Sequence, residues 1–365
     1  MNTPIRILLC DDSALMRRLI KTAIETDPKL KVVCEAKNGR DATEQLSKHQ
    51  LDLVVLDVEM PVMDGIDATR AMRRKNFELP IIMFSSLTSR GAEATLDAIA
   101  AGANDFATKP ARSGHIDQAL AHVQRELLPK IHRWANHWRT KSASRTSAVP
   151  SGPNPIQGFP SGPITGASSG EGISAIAIGA STGGPQALSA LMSQVNRDLR
   201  VPILIVQHMP PVFTGLLAER LSAQSGHSVR EASDGEVIEP GDCVIAPGDQ
   251  HLTIVRDLTS LRVQLNRNEP ENSCRPAVDP LFRSCASCFG ARCLGVVLTG
   301  MGKDGLEGAR ALKKTGARIV CQDEASSVVW GMPGNIVGSD LADLVLPING
   351  IADEVNRLTQ QPQNV

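Results

Sequence analysis

Three short segments carry residue types that could together perform acyl transfer. Gly179-Ala180-Ser181-Thr182-Gly183-Gly184-Pro185 follows an apolar run and precedes a helical pattern, so its glycines allow a sharp bend presenting the Ser181 hydroxyl. A phosphate-cradling loop is the competing reading, but no Lys follows as in G-x-x-x-x-G-K-[ST]. A serine nucleophile needs a base. Beyond residue 137 the chain offers His208, His227 and His251. His208 directly follows the apolar stretch 201–206, which brings it to the edge expected for Ser181. His227 lies in a Gln-Ser-Gly surface stretch, and His251 ends a turn-like Ala-Pro-Gly-Asp-Gln-His that could line the same site. Asp304, in Thr299-Gly300-Met301-Gly302-Lys303-Asp304-Gly305, can orient an imidazole, although a helix N-cap is its plainer role. Backbone N–H groups of 300–302 could receive an oxyanion. The order Ser, His, Asp departs from α/β-hydrolases, and a pairing of Asp249 with His251 would leave 299–305 unexplained.

A second constellation lies near the start. Asp11-Asp12 follows the first apolar run, Asp57 the third, Ser85 ends the fourth and Lys109 follows the fifth. Three converging carboxylates repel one another unless a cation joins them, and oxygen-only donors suit Mg²⁺ or Mn²⁺. A metal, a hydroxyl and an ammonium around one carboxylate form a phosphoryl-acceptor site.

These residues must be delivered by strands. Strand-length apolar runs at 5–10, 31–36, 53–56, 80–84 and 105–107 alternate with amphipathic stretches, which predicts a doubly wound parallel sheet with ligands at its carboxyl edge. Residues 116–128 read as its last helix, broken or kinked by Pro129, with 132–138 continuing amphipathically. Runs at 173–178, 201–206, 243–246, 294–299 and 318–321 predict a second, mostly parallel α/β sheet, with 262–266 as an antiparallel edge piece and helices after Gly184, Phe213 and Gly305. Between the two, 20 of the 32 residues from 141 to 172 are Gly, Pro, Ser or Thr, the composition of a flexible linker. Such a tether transmits no rigid strain, so control of one region by the other is expected to act through a docking surface.

Composition narrows the function classes. The net charge is −1 with a sequence pI near 6.7, and residues 173–365 carry 16 basic against 20 acidic side chains, which opposes nucleic acid as a partner. No run approaches the roughly 20 apolar residues of a membrane span, so no membrane insertion is expected. Without a signal-peptide pattern the expected compartment is the cytoplasm. The eight cysteines are then expected to be thiols; Cys285-x-x-Cys288 with Cys274 and Cys293 lacks both a repeated CxxC and a nearby His, which disfavours zinc.

Asp11-Asp12, Asp57, Ser85 and Lys109, with Glu59-Met60-Pro61 and Met63-Asp64-Gly65 after the acceptor, resemble a response-regulator receiver domain over residues 4–123. The resemblance implies a flavodoxin-like fold, phosphorylation of Asp57 by a chemotaxis histidine kinase, Mg²⁺ held by Asp11, Asp12 and Asp57, and Ser85 and Lys109 reading the phosphoryl group. Phe106 stands at the family's switching aromatic. The segments 179–185, 207–211, 246–251, 299–305 and 322–326 resemble the catalytic domain of the CheB family of chemotaxis methylesterases over 173–360, with 124–172 left as helical extension and linker. That resemblance implies Ser181 as nucleophile, His208 as base and acid, Asp304 as orienter and the Met301 N–H at the oxyanion. It implies no cofactor in this domain. Its substrates would be glutamate methyl esters, and certain glutamine amides, on methyl-accepting chemotaxis receptors. A receiver coupled to a DNA-binding or non-catalytic output is the alternative.

Overall fold

The computed structural model describes residues 3–75, 77–110, 115–146, 172–257 and 260–360. The chain divides into two compact units, 1–168 and 169–365. Most of the predicted linker, 147–171, lies outside the described residues.

The first unit runs β1 (Ile5–Cys10), α1 (Ala14–Ile24), β2 (Leu30–Ala36), α2 (Gly39–Lys48), β3 (Leu53–Asp57), α3 (Gly65–Arg74), β4 (Ile81–Ser85), α4 (Ser89–Ala100), β5 (Asp105–Thr108) and α5 (Ile116–Thr146). Its five strands lie in the order β2-β1-β3-β4-β5, all parallel. β3 and β4 are buried along their whole length, as expected of strands covered by helices on both faces. The order reverses between β1 and β3, and the crevice at such a switch point is where open α/β sheets bind ligands. Asp11 and Asp57 stand there.

Of the break or kink expected at Pro129, the break does not occur: α5 is a single helix of 31 residues with the proline inside it. A proline costs an interior helix roughly 3 kcal/mol, and side-chain anchoring on both sides of it offsets that. Leu127, Ile131, Trp134 and Ala135 are buried. Lys130 Nζ and Trp134 Nε1 reach Asp105 at 2.8 and 3.2 Å, and Arg139 Nη2 reaches Asp52 at 2.7 Å. The helix also continues through Lys141–Thr146, where the composition reads as linker.

The second unit runs β6 (Ala175–Ala180), α6 (Gly184–Met192), β7 (Ile203–Gln207), α7 (Phe213–Ser225), β8 (Val229–Glu231), β9 (Val237–Ile238), β10 (Cys243–Ile245), β11 (His251–Arg256), β12 (Leu261–Asn266), α8 (Val278–Phe289), β13 (Cys293–Val297), α9 (Leu306–Lys314), β14 (Arg318–Gln322), α10 (Met332–Val337), β15 (Leu344–Leu346) and α11 (Ile348–Thr359). Seven strands form a parallel sheet in the order β15-β14-β13-β6-β7-β10-β8. The antiparallel piece at β12 is not an edge of this sheet. It pairs with β11 and β9 in a separate three-stranded sheet. The main core is built from Val, Ile, Leu and Ala, with Phe213 and Phe282 fully buried. Burial of each such large side chain contributes roughly 1.5–3 kcal/mol. Here the order reverses between β6 and β13, so the segments after those two strands share the second crevice.

Candidate functional site

At the second switch point the register pairs Gly179 with Val297 and Ala180 with Gln207, so Ser181, His208 and the loop after β13 emerge at one sheet edge. The serine bend is stitched down by backbone and buried polar groups. Ser181 N donates to Thr299 O at 3.1 Å, and Gln207 Nε2 donates to Ser181 O at 2.9 Å. Thr299 Oγ1 donates to Thr182 O, and Thr299 N donates to Gln322 Oε1. Close approach explains two glycines. A Cβ on Gly184 would lie 1.9 Å from Gln207 Oε1, and one on Gly300 would lie 2.4 Å from Met332 Sδ and 2.8 Å from Ser181 Cβ.

His208 Nε2 lies 2.7 Å from Asp304 Oδ2. Asp304 is 1% exposed and accepts four further hydrogen bonds, from Val278 N, Asp279 N, Gly305 N and Asn272 Nδ2. Burial opposes its charge, but the bond and charge of His208 and the two α8 amides outweigh it and hold its pKa below the usual carboxylate range. Burial likewise opposes a charge on His208, yet its bonds to Asp304 and Cys274 raise its pKa to about 10. Asp304 thus fixes the proton on Nε2 and leaves Nδ1 as the nitrogen able to exchange one. Among the described residues no hydrogen bond joins Ser181 Oγ to the ring. Cys274 Sγ instead sits 3.4 Å from Nδ1. Met301 is 40% exposed and its N–H makes no backbone hydrogen bond among the described residues, leaving it open to an anion.

At the first switch point Asp11, Asp12 and Asp57 each offer an oxygen within 4.8 Å of the others. Lys109 Nζ reaches Asp57 Oδ2 at 2.7 Å and Asp11 Oδ2 at 2.9 Å. Burial pushes the Asp57 pKa up, Lys109 opposes this, Asp11 reinforces it, and the result is about 7. Burial disfavours charge on Lys109 too, but the two carboxylates outweigh it and raise its pKa. A carboxyl driven toward neutrality beside two others is a donor set short of positive charge, so these oxygens fit a hard divalent cation. Ser85 ends β4 beside them, but its hydroxyl donates to Gly91 O at 2.9 Å rather than to Asp57. Phe106 is buried, with Lys130 Nζ 5.2 Å from its ring centre.

The family model of the CheB methylesterase matches residues 176–355, and that of the response regulator receiver domain matches 7–121. A protein-glutamate methylesterase/protein-glutamine glutaminase of Trichodesmium erythraeum is 45% identical over 96% of this chain and 98% of its own length. The chain belongs to the CheB methylesterase family. A protein of the same name from a Nocardioides species is 43% identical over 98% of this chain and 96% of its own length. The Thermotoga maritima CheB methylesterase catalytic domain superposes with a TM-score of 0.50 at 39% identity, covering 51% of this chain and 98% of that domain. The receiver fold brings with it the Mg²⁺-dependent phosphorylation site typical of such domains.

Around Ser181, His208 and Asp304 stand residues to which the sequence assigns no such place. Asn272, Asp279 and Cys274 come from the turn between β12 and α8 and from α8 itself. His251, the first residue of β11, is buried; its Nδ1 accepts from Ala277 N at 3.2 Å and its Nε2 donates to Glu269 O at 3.1 Å. It therefore braces the turn that holds Asp304. His227 is buried with Nε2 bonded to Val195 O. Of the cysteines weighed for zinc, Cys285 is wholly buried, and the neighbouring Cys293 thiol together with burial holds its pKa well above the ordinary thiol value, whereas Cys274 sits against His208.

Proposed function

We propose that Ser181, His208 and Asp304 hydrolyse glutamate γ-methyl esters, and γ-amides of particular glutamines, on methyl-accepting chemotaxis receptors. The 2.7 Å bond between His208 and a carboxylate pinned by four other donors, beside the Ser181 bend, carries this reading. Ser181 Oγ attacks the ester carbonyl as its proton passes to His208 Nδ1, and the Met301 N–H receives the oxyanion. Collapse expels methanol, or ammonia from an amide, which takes the proton back from His208. Water then repeats the sequence on the acyl-serine and releases the glutamate carboxylate. Because the raised His208 pKa keeps the resting ring protonated at neutral pH, the fraction able to act as base grows as pH rises.

In the first unit, Asp57 is the phosphoryl acceptor for a chemotaxis histidine kinase. Asp11, Asp12 and Asp57 would hold Mg²⁺, which supplies positive charge for the incoming phosphoryl group. Lys109 adds a second cation against the transferred oxygens, and Ser85 senses the group once its hydroxyl leaves Gly91 O. Phosphorylation at Asp57 regulates the hydrolase. No described helix is long and apolar enough to cross a membrane, and the reaction is assigned to the cytoplasmic face of the receptors. Methanol release from methylated receptor tests the reading. Loss of release in Ser181→Ala supports it, and release at the wild-type rate removes Ser181 from the mechanism.

A further inference from the structure

Both ring nitrogens of His208 are engaged by neighbours of a single turn. Glu271 and Cys274 form a two-way backbone bridge, with Glu271 N donating to Cys274 O at 3.1 Å and Cys274 N donating to Glu271 O at 2.8 Å. Between them Asn272 and Ser273 take left-handed φ values of 52° and 63°. The turn is clamped from outside. Arg283 of α8 binds both Glu271 oxygens, at 2.6 and 2.9 Å, and Arg275 binds Asp249 Oδ1 at 2.6 Å and Asn268 O at 2.9 Å. From this fixed turn Asn272 Nδ2 supports Asp304, which holds Nε2 of His208, while Cys274 Sγ sits on Nδ1.

With Nε2 committed to Asp304, Nδ1 is the nitrogen that must take the Ser181 proton, and the structure has sulfur there instead of the serine hydroxyl. We infer that Cys274 is a positioning residue that holds Nδ1 of His208 in competition with Ser181, releasing the base to the nucleophile when the thiol gives way. In the resting site the imidazolium Nδ1–H donates to Sγ. On deprotonation Nδ1 becomes an acceptor, and Ser181 Oγ–H must displace the thiol from it before the proton transfers. The thiol gains and loses no proton in the cycle, so no oxidant or co-reactant is needed. The sulfur contact favours the protonated ring, in the same direction as Asp304. The other charged groups nearby, Asp279 and Arg283 of α8, act on Asp304 from behind, and Asp249 and Arg275 pair with each other on the flanking loop.

The inference rests on His208 being the base, so the two are separated by experiment. Methanol release from methylated receptor by the full chain is measured from pH 6 to pH 9.5, with the Ser181→Ala rate subtracted as blank. Loss of activity in His208→Ala upholds the base, and retained activity there overturns the underlying assignment instead. Cys274→Ala is expected to move the acid limb of kcat/KM down by about half a pH unit, equivalent to a ~threefold faster rate at pH 7, the size of one weak hydrogen bond. Cys274→Ser, which keeps a hydrogen-bonding group, should lie nearer the wild-type limb. The His208 titration followed by NMR of histidine-labelled chain should shift the same way without turnover. A Cys274→Ala limb that superimposes on wild type, moves upward, or falls by one factor at every pH overturns the inference, as does a Cys274→Ser limb displaced as far as that of Cys274→Ala.

Discussion

Asp57 and Asp304 both lie next to the switch point of a parallel sheet, Asp57 as the last residue of β3 and Asp304 in the loop after β13. Each is buried in a segment at the carboxyl edge of a parallel sheet, beside the point where strand order reverses. Their surroundings differ in kind. Asp304 accepts five hydrogen bonds, three of them from backbone amides, and is held ionised. Asp57 has one ammonium, two neighbouring carboxylates and a long 3.4 Å contact from Glu59 N, and burial carries its pKa to about 7. Donors that cannot move make a carboxylate a fixed charge, suited to orienting an imidazole. A carboxylate left short of donors becomes a site where a cation and a new covalent partner improve the electrostatics. At the carboxyl edge of a parallel sheet, a buried carboxylate thus becomes a fixed charge or a site open to a cation according to how its oxygens are satisfied.

The largest losses are expected at the edge that carries His208 and Asp304. His208→Ala should lower methanol release by ~10⁴-fold or more, because nucleophile and base act as a unit. Asp304→Asn should lose ~10³–10⁴-fold while keeping native circular dichroism, since the amide cannot hold the same tautomer. In the first unit, borohydride trapping after acetyl phosphate should place the label on Asp57 only when divalent metal is present. Label on another residue, or label without metal, contradicts the acceptor assignment. Gly300→Ala puts a methyl against Met332 and Ser181, so stability should fall by about 1–3 kcal/mol, the usual cost of overpacking, together with activity. The smallest effect sharpens the contrast. Ionised Asp57 has a folded pKa above its unfolded one, so it costs stability as pH rises through about 7. Asp57→Asn should raise Tm of the metal-free chain by ~2–4 °C at pH 8, and the gain should disappear at pH 4.

Much of this was legible in the chain because parallel strands write themselves as short apolar runs, and chemistry placed at their ends inherits that signal. Asp11, Asp57, Lys109, Ser181 and His208 each follow or end such a run. Asp304 is reached through a glycine loop after another. Asn272, Cys274 and Asp279 have no such marker. Their placement depends on an antiparallel layer, a turn with two left-handed residues and a helix whose buried positions include Asp279 and Pro280, so its periodicity is blurred. Pro129 differs for the opposite reason: a local rule allows a break or a kink, and tertiary anchors at Asp105 and Asp52 hold the helix unbroken.

The most direct test of this contrast is the titration of both carboxyls in one sample. With aspartate side-chain carboxyls ¹³C-labelled in the metal-free full chain, and resonances assigned by Asp57→Asn and Asp304→Asn, the account predicts that Asp57 titrates near pH 7. It predicts that Asp304 remains ionised to below the ordinary aspartate range of about 3.9. An Asp57 that titrates near 4, or an Asp304 that takes up its proton at or above that value, would contradict it.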